Sequence, residues 1–168
     1  MAKICDHKCV GMMVWQNDKL LLIERRKGTL GFAPPAGHVE GNDSFEESAK
    51  RELEEEVGLD TKNIKFLIEG RKENPCRREN GTWHYWKIYR IEASGKVERS
   101  ENETKQAGWY NKNQILALAK RTKTYLAGQI PEDEWSKNPG LEPVWFEWMK
   151  ELKIWTNRDR GNGSLYKV

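Results

Sequence analysis

Two apolar runs, Val10 to Trp15 and Leu20 to Glu24, flank a polar break at Gln16-Asn-Asp-Lys19. Short apolar stretches joined by turn residues predict a hairpin of two strands. Arg25, Arg26 and Lys27 follow at once. The next segment, Gly31-Phe-Ala-Pro-Pro-Ala-Gly37, cannot be helix interior, because Pro34 and Pro35 lack a donor and push their predecessors toward extended geometry. It reads as an extended loop. Then the period changes. Phe45, Ala49, Leu53 and Val57 recur at helical spacing, and Ser44-x-x-Glu47 has the capping-box pattern, with Asp43 as a second possible cap. Gly58 fits the left-handed position that closes a helix.

Further on, Ile64 to Ile68 predicts a short strand and Asn74 to Gly81 a loop. Thr82 to Ile91 is the longest strand candidate, aromatic and β-branched enough for the centre of a sheet. Alternation puts Trp83, Tyr85 and Tyr89 on one face and His84, Trp86 and Ile88 on the other. Trp109-Tyr110 predicts another short strand, and Asn113 to Lys123 a helix with Ile115, Leu116, Leu118 and Ala119 inward. After Thr124 the chain is turn-rich until Pro143 to Trp155, where Trp145, Trp148, Leu152 and Trp155 give a helical spacing. The polar tail from Arg158 reads as loose. The expected organisation is a core over 1–124 and a Trp-rich helical extension over 125–168 packed on the same domain. A homodimer surface or lid is the rival use for that extension.

Composition narrows the classes. The 168 residues fit one domain. A net charge of +3 with 33% charged residues is too balanced to announce a membrane or nucleic-acid partner. No apolar run approaches the roughly 20 residues of a spanning helix, and the N-terminus lacks a signal-peptide core. Three cysteines, an odd number, point to a reducing cytoplasm rather than a disulfide framework.

The candidate chemistry lies on the helix after Gly37. Glu52, Glu55 and Glu56 are three and four residues apart, hence neighbours on its surface, with Arg51 beside them. Three clustered anions are unfavourable unless something positive sits among them. A hard divalent cation with oxygen ligands, Mg²⁺ above all and Mn²⁺ as its substitute, is the natural occupant. A solvated helix face laced with i,i+4 pairs would explain the charges, but not Gly37 or Gly58.

Gly37, Arg51, Glu52, Leu53, Glu55, Glu56, Gly58 and Leu59 fall on the pattern G-x5-E-x7-R-E-U-x-E-E-x-G-U, U being a bulky aliphatic. The spacing resembles the signature of the Nudix hydrolases. It departs once, with Asp43 where the family has Glu. The resemblance implies an α+β fold, a mixed sheet sandwiched between helices, and hydrolysis of a nucleoside diphosphate linked to another moiety. It implies Glu52, Glu55 and Glu56 as metal ligands, with the carbonyl of Ala36 as a further one, and Arg51 as the group that orients a glutamate. Asp43 is expected either to orient its neighbours or to cap the helix. Glu103 is the expected general base, ahead of Glu101 and a signature glutamate. A solvated loop is the plain alternative for that acidic stretch.

Arg25 and Arg26 end a strand that borders the site in this family, where guanidinium groups clamp phosphates. Arg77 and Arg78 could do the same, and Trp83 could stack on a base. The expected partner is a small nucleoside diphosphate derivative, and the charge gives no support for long RNA. A binding module that senses such a ligand without cleaving it is the rival class. Cys5-Asp-His7-Lys-Cys9 would share one face of a strand and, with Cys76, could hold structural Zn²⁺. Ordinary reduced cysteines are the favoured reading.

Overall fold

Asn17 and Asp18, with φ of 48° and 58°, form the tight turn joining β1 (Lys8–Gln16) to β2 (Lys19–Arg25). Positive φ at both turn positions matches the right-handed twist of the strands. In this computed structural model the described residues are 3–155, so the tail from Arg158 lies outside them. The two strands pair only at Trp15↔Leu20 and Gln16↔Lys19. The segment predicted as an extended loop fills the gap between them. Its β3 (Phe32–Ala33) pairs with β2, and its β4 (Ala36–His38) pairs with β1. Short pairings of this kind leave no alternation to read.

On its other side β1 runs parallel to β6 (His84–Ser94), which is antiparallel to β5 (Asp60–Lys72). β7 (Thr104–Tyr110) lies antiparallel on the outer side of β2. The result among the described residues is a mixed sheet of seven strands. β5 extends well beyond the predicted Ile64–Ile68, with 13 residues, more than β6. As an edge strand it is mostly polar, and register shifts at Thr61/Asn63 and Phe66/Ile68 break its two-residue period. β7 likewise begins earlier than predicted, through polar residues on the rim.

Alternation along β1 divides the core. Cys9, Met13 and Trp15 join one buried cluster, while Val10, Met12 and Val14 join the other. Both faces of the sheet are covered, which is why these strands read as unbroken apolar runs. Ala49, Leu53 and Val57 of α1 (Phe45–Val57) fill the second cluster. Ile115 and Ala119 of α2 (Lys112–Leu126), with Trp145, Trp148 and Met149 of α4 (Pro143–Glu151), fill the first. Leu116 and Leu118, predicted inward, are half-buried. The turn-rich stretch holds a short α3 (Glu132–Lys137), whose Trp135 stacks on Tyr125 with centroids 4.0 Å apart. α4 stops before Trp155, with Leu152 as its cap. Trp145 lies under β1 at Gly11, where any Cβ would come within 2.4 Å of its ring. No helix of the described residues is long and apolar enough to cross a membrane.

Candidate active site

α1 starts and stops as its sequence predicts. Ser44 accepts from the Glu47 amide at 3.1 Å while the Glu47 carboxylate accepts from the Ser44 amide at 2.7 Å. Gly58, at φ 69°, ends the helix. The last carbonyls find partners in the loop beyond β6: Glu98 N–H donates to Val57 O at 2.8 Å and Ser100 N–H to Glu56 O at 2.9 Å. Those two bonds bind the 98–103 loop to the helix end and bring Glu103 to the wall of the same cavity as the signature glutamates.

The three glutamates converge less evenly than helical spacing predicts. Glu56 is buried, 2% exposed, next to the apolar stripe rather than opposite it. Glu52 is largely shielded, and the Glu55 side chain is 60% exposed. α1 packs against β4, so the acidic ridge faces the gap where β1 and β2 part. Gly37 is required there: a Cβ would lie 2.1 Å from Cδ of Glu52. The backbone of β4 therefore touches the carboxylate directly.

Each buried acid has a basic partner. Arg51 Nη1 donates to Glu52 at 2.9 Å, with Glu55 3.6 Å away, and its Nε donates to Asp43 at 3.4 Å. Ser44 takes the cap, which leaves Asp43 to hold Arg51 despite its shorter arm. Arg25 donates to Glu56 at 3.3 Å, to Glu142 at 3.1 Å and to the carbonyl of Ala36 at 3.4 Å. The Ala36 amide donates to Glu56 at 3.0 Å. Glu142 had no local signal in the sequence, since it pairs across 117 positions.

Burial dominates the titration of the two inner acids. It pushes Glu52 up to about 7 against the pull of Arg51, with Glu55 and Glu103 adding to the rise. Glu56 is also pushed up to about 7, by burial first and then by Glu52 and Glu103, against Arg25. Two acids held above the usual carboxylate range are poorly compensated by the arginines alone. A divalent ion would supply the missing positive charge, and hard oxygen donors suit Mg²⁺ or Mn²⁺.

The cavity in front of these acids measures about 660 Å³ and is lined by Arg25, Arg77, Arg78, Glu52, Glu55 and Glu103, among others. Arg78 is tied to Glu40, whereas Arg77 is exposed and lies near Gly28 across the cavity. Two expected substrate contacts fall elsewhere. Arg26 points to the Thr104 carbonyl at 3.4 Å and does not line the cavity. Trp83 precedes β6 and does not line the cavity; its ring stacks on that of His7 at 4.2 Å and lies under the Arg71 guanidinium at 4.1 Å. Arg25 reaches the cavity, but its guanidinium is committed to Glu56, Glu142 and Ala36.

The NUDIX domain family model matches residues 6–132 of this chain. An ADP-ribose pyrophosphatase from Methanocaldococcus jannaschii is 31% identical over 110 residues, which are 64% of this chain and 63% of that relative. The chain thus spans less than two thirds of that relative's length. Among solved structures, a MutT NUDIX hydrolase from Burkholderia pseudomallei superposes with a TM-score of 0.57 and 21% identity, over 64% of this chain and 84% of that one. The NUDIX domain of Shewanella oneidensis NrtR, complexed with ADP ribose, gives a TM-score of 0.60 at 15% identity, over 91% and 88% of the two chains. At such identities these two likenesses speak for the fold.

Proposed function

The chain belongs to the Nudix hydrolase family, and from that premise we propose a Mg²⁺-dependent pyrophosphohydrolase that cleaves a nucleoside diphosphate linked to a further moiety. The observation that carries the reading is the pair of shielded glutamates, Glu52 and Glu56, packed against the β4 backbone at the edge of an open cavity. Glu52, Glu55, Glu56 and the Ala36 carbonyl would hold the ion. Bound there, a divalent cation neutralises phosphate oxygens and lowers the pKa of water.

The chain's own groups do the rest. Arg51, steadied by Asp43, fixes the orientation of Glu52. Arg25 and Glu142 fix Glu56 and the Ala36 carbonyl. Glu103, on the wall of the same cavity, takes the proton of the attacking water, and Arg77 receives phosphate oxygens. The positioning arginines are ion-paired with their acids within the protein, so the ligand geometry is set before substrate arrives.

ADP-ribose is the first substrate to try, because the Methanocaldococcus jannaschii relative bears that activity in its name and the Shewanella oneidensis NUDIX domain was solved with that ligand. The test is a panel of ADP-ribose, nucleotide sugars, dinucleoside polyphosphates and nucleoside triphosphates with Mg²⁺ or Mn²⁺, read by product chromatography. We expect metal-dependent cleavage of the phosphoanhydride in at least one class. A folded protein that cleaves none of them with either metal would leave the binding-module reading in its place.

A further inference from the structure

Beside the carboxylates, on the wall formed by β4 and the 74–81 loop, four softer side chains meet. Cys5, His38, Cys76 and His84 bring their Sγ or imidazole nitrogen atoms within 4.8 Å of one another. Cys5 Sγ is 3.8 Å from Cys76 Sγ, 3.2 Å from His84 Nε2 and 3.8 Å from His38 Nε2. The two Nε2 atoms are 3.3 Å apart. We propose that these four residues form a structural Zn²⁺ site of Cys2His2 type, tying the N-terminal segment and the 74–81 loop to the wall of the catalytic cavity.

The separations carry the argument. A tetrahedral ion with Zn–S of about 2.3 Å and Zn–N of about 2.05 Å sets its ligands about 3.8 Å apart for S–S, about 3.3 Å for N–N and about 3.6 Å for S–N. The S–S and N–N distances agree with these edges, and the two S–N distances from Cys5 straddle the third. A disulfide would bring the sulfurs to about 2.05 Å, far shorter than observed.

The surroundings are built for the same purpose. The amide of His7 donates to Cys5 Sγ and that of Arg78 to Cys76 Sγ, each at 3.4 Å and each from two residues downstream. Amides aimed at sulfur favour the thiolate that a metal needs. His84 Nδ1 lies 2.9 Å from the Asn74 carbonyl, which makes Nδ1 the protonated nitrogen and leaves a lone pair on Nε2. Gly81 makes room, since a Cβ there would stand 2.2 Å from Cys76 Sγ. The Cys5 amide donates to the Glu79 carbonyl at 2.9 Å, tying the N-terminal segment to the 74–81 loop, and the Cys76 amide donates to the Gly81 carbonyl at 2.7 Å, closing that loop on itself.

The sequence grouping of Cys5, His7 and Cys9 is corrected in two of its members. His7 has φ of 60°, so no continuous strand runs from residue 5 to 9, and its ring turns to Trp83. Cys9 points into the core under the sheet. The two histidines come from β4 and from the start of β6, and no spacing in the sequence links them to the cysteines. Thiolate and imidazole together select Zn²⁺ over Mg²⁺, and four protein ligands leave no open position. The site is therefore structural, and it stands whether or not the chain is a hydrolase.

The test is metal analysis of the full chain purified without chelator, followed by replacement with Co²⁺ and visible spectroscopy. We expect about one zinc per chain, and for cobalt the d–d bands of a tetrahedral site with thiolate charge transfer. Cys76→Ser should lose that spectrum, while the double variant Glu52→Gln/Glu56→Gln should keep it, which separates this site from the carboxylates. A folded wild-type chain that takes up neither Zn²⁺ nor Co²⁺ would overturn the proposal. So would a cobalt spectrum lacking thiolate bands, or one abolished by the glutamate changes alone.

Discussion

Replacing Glu56 by Gln lowers turnover on the order of a thousandfold, about 4 kcal/mol of lost transition-state stabilisation, while the fold stays intact. The side chain keeps its volume, the Ala36 amide keeps an acceptor, and Arg25 keeps Glu142. Stability should hardly fall, and the sign follows from titration. The folded chain pushes Glu56 up to about 7, above the value an unfolded carboxyl has. Between those two values the native state binds more protons than the unfolded one, so its stability drops as pH rises through about 7. A neutral Gln removes that penalty. Steady-state kinetics beside thermal unfolding will separate the two effects. Turnover within a few-fold of wild type would show that Glu56 holds no ion.

Trp145→Ala is the substitution expected to cost most in stability, about 3–5 kcal/mol. Trp145 is fully buried between Gly11 of β1 and Trp86 of β6, its ring 5.7 Å from that of Trp86. Truncation opens a cavity that the sheet cannot collapse into. Among the described residues its Nε1–H finds no acceptor, so Trp145→Phe should cost far less, because it removes that buried donor along with the lost area. Urea unfolding with unchanged m-values will test the pair. A loss below about 1 kcal/mol for the alanine variant would mean that α4 lies outside the cooperative unit.

How far this was legible in the sequence depends on how local each signal is. Ser44, Glu47 and Gly58 define α1 within one stretch of chain, and the unbroken apolar run of β1 reports two buried faces. The edge strands hid their extent: β5 is polar and bulged, and β7 starts through Thr104, Lys105 and Gln106. The signature fixed the acids, yet only packing shows that Glu56 is buried while Glu55 is exposed. Arg25–Glu142 and His38–His84 join residues far apart in the chain, and nothing short of the fold brings them together. Trp83 misled because an aromatic residue before a strand is equally suited to stacking on a neighbouring His.

The acids themselves can be questioned most directly with Mn²⁺, by electron paramagnetic resonance of the free ion during titration at about pH 6 and about pH 8. In the metal-free chain Glu52 and Glu56 titrate near 7, so at the lower pH they carry protons that the ion must displace. The account predicts binding about tenfold tighter at the higher pH for each acid that must give up its proton, roughly a hundredfold for the two together, and loss of that site in Glu52→Gln/Glu56→Gln. Equal affinity in the wild type and the double variant would contradict it.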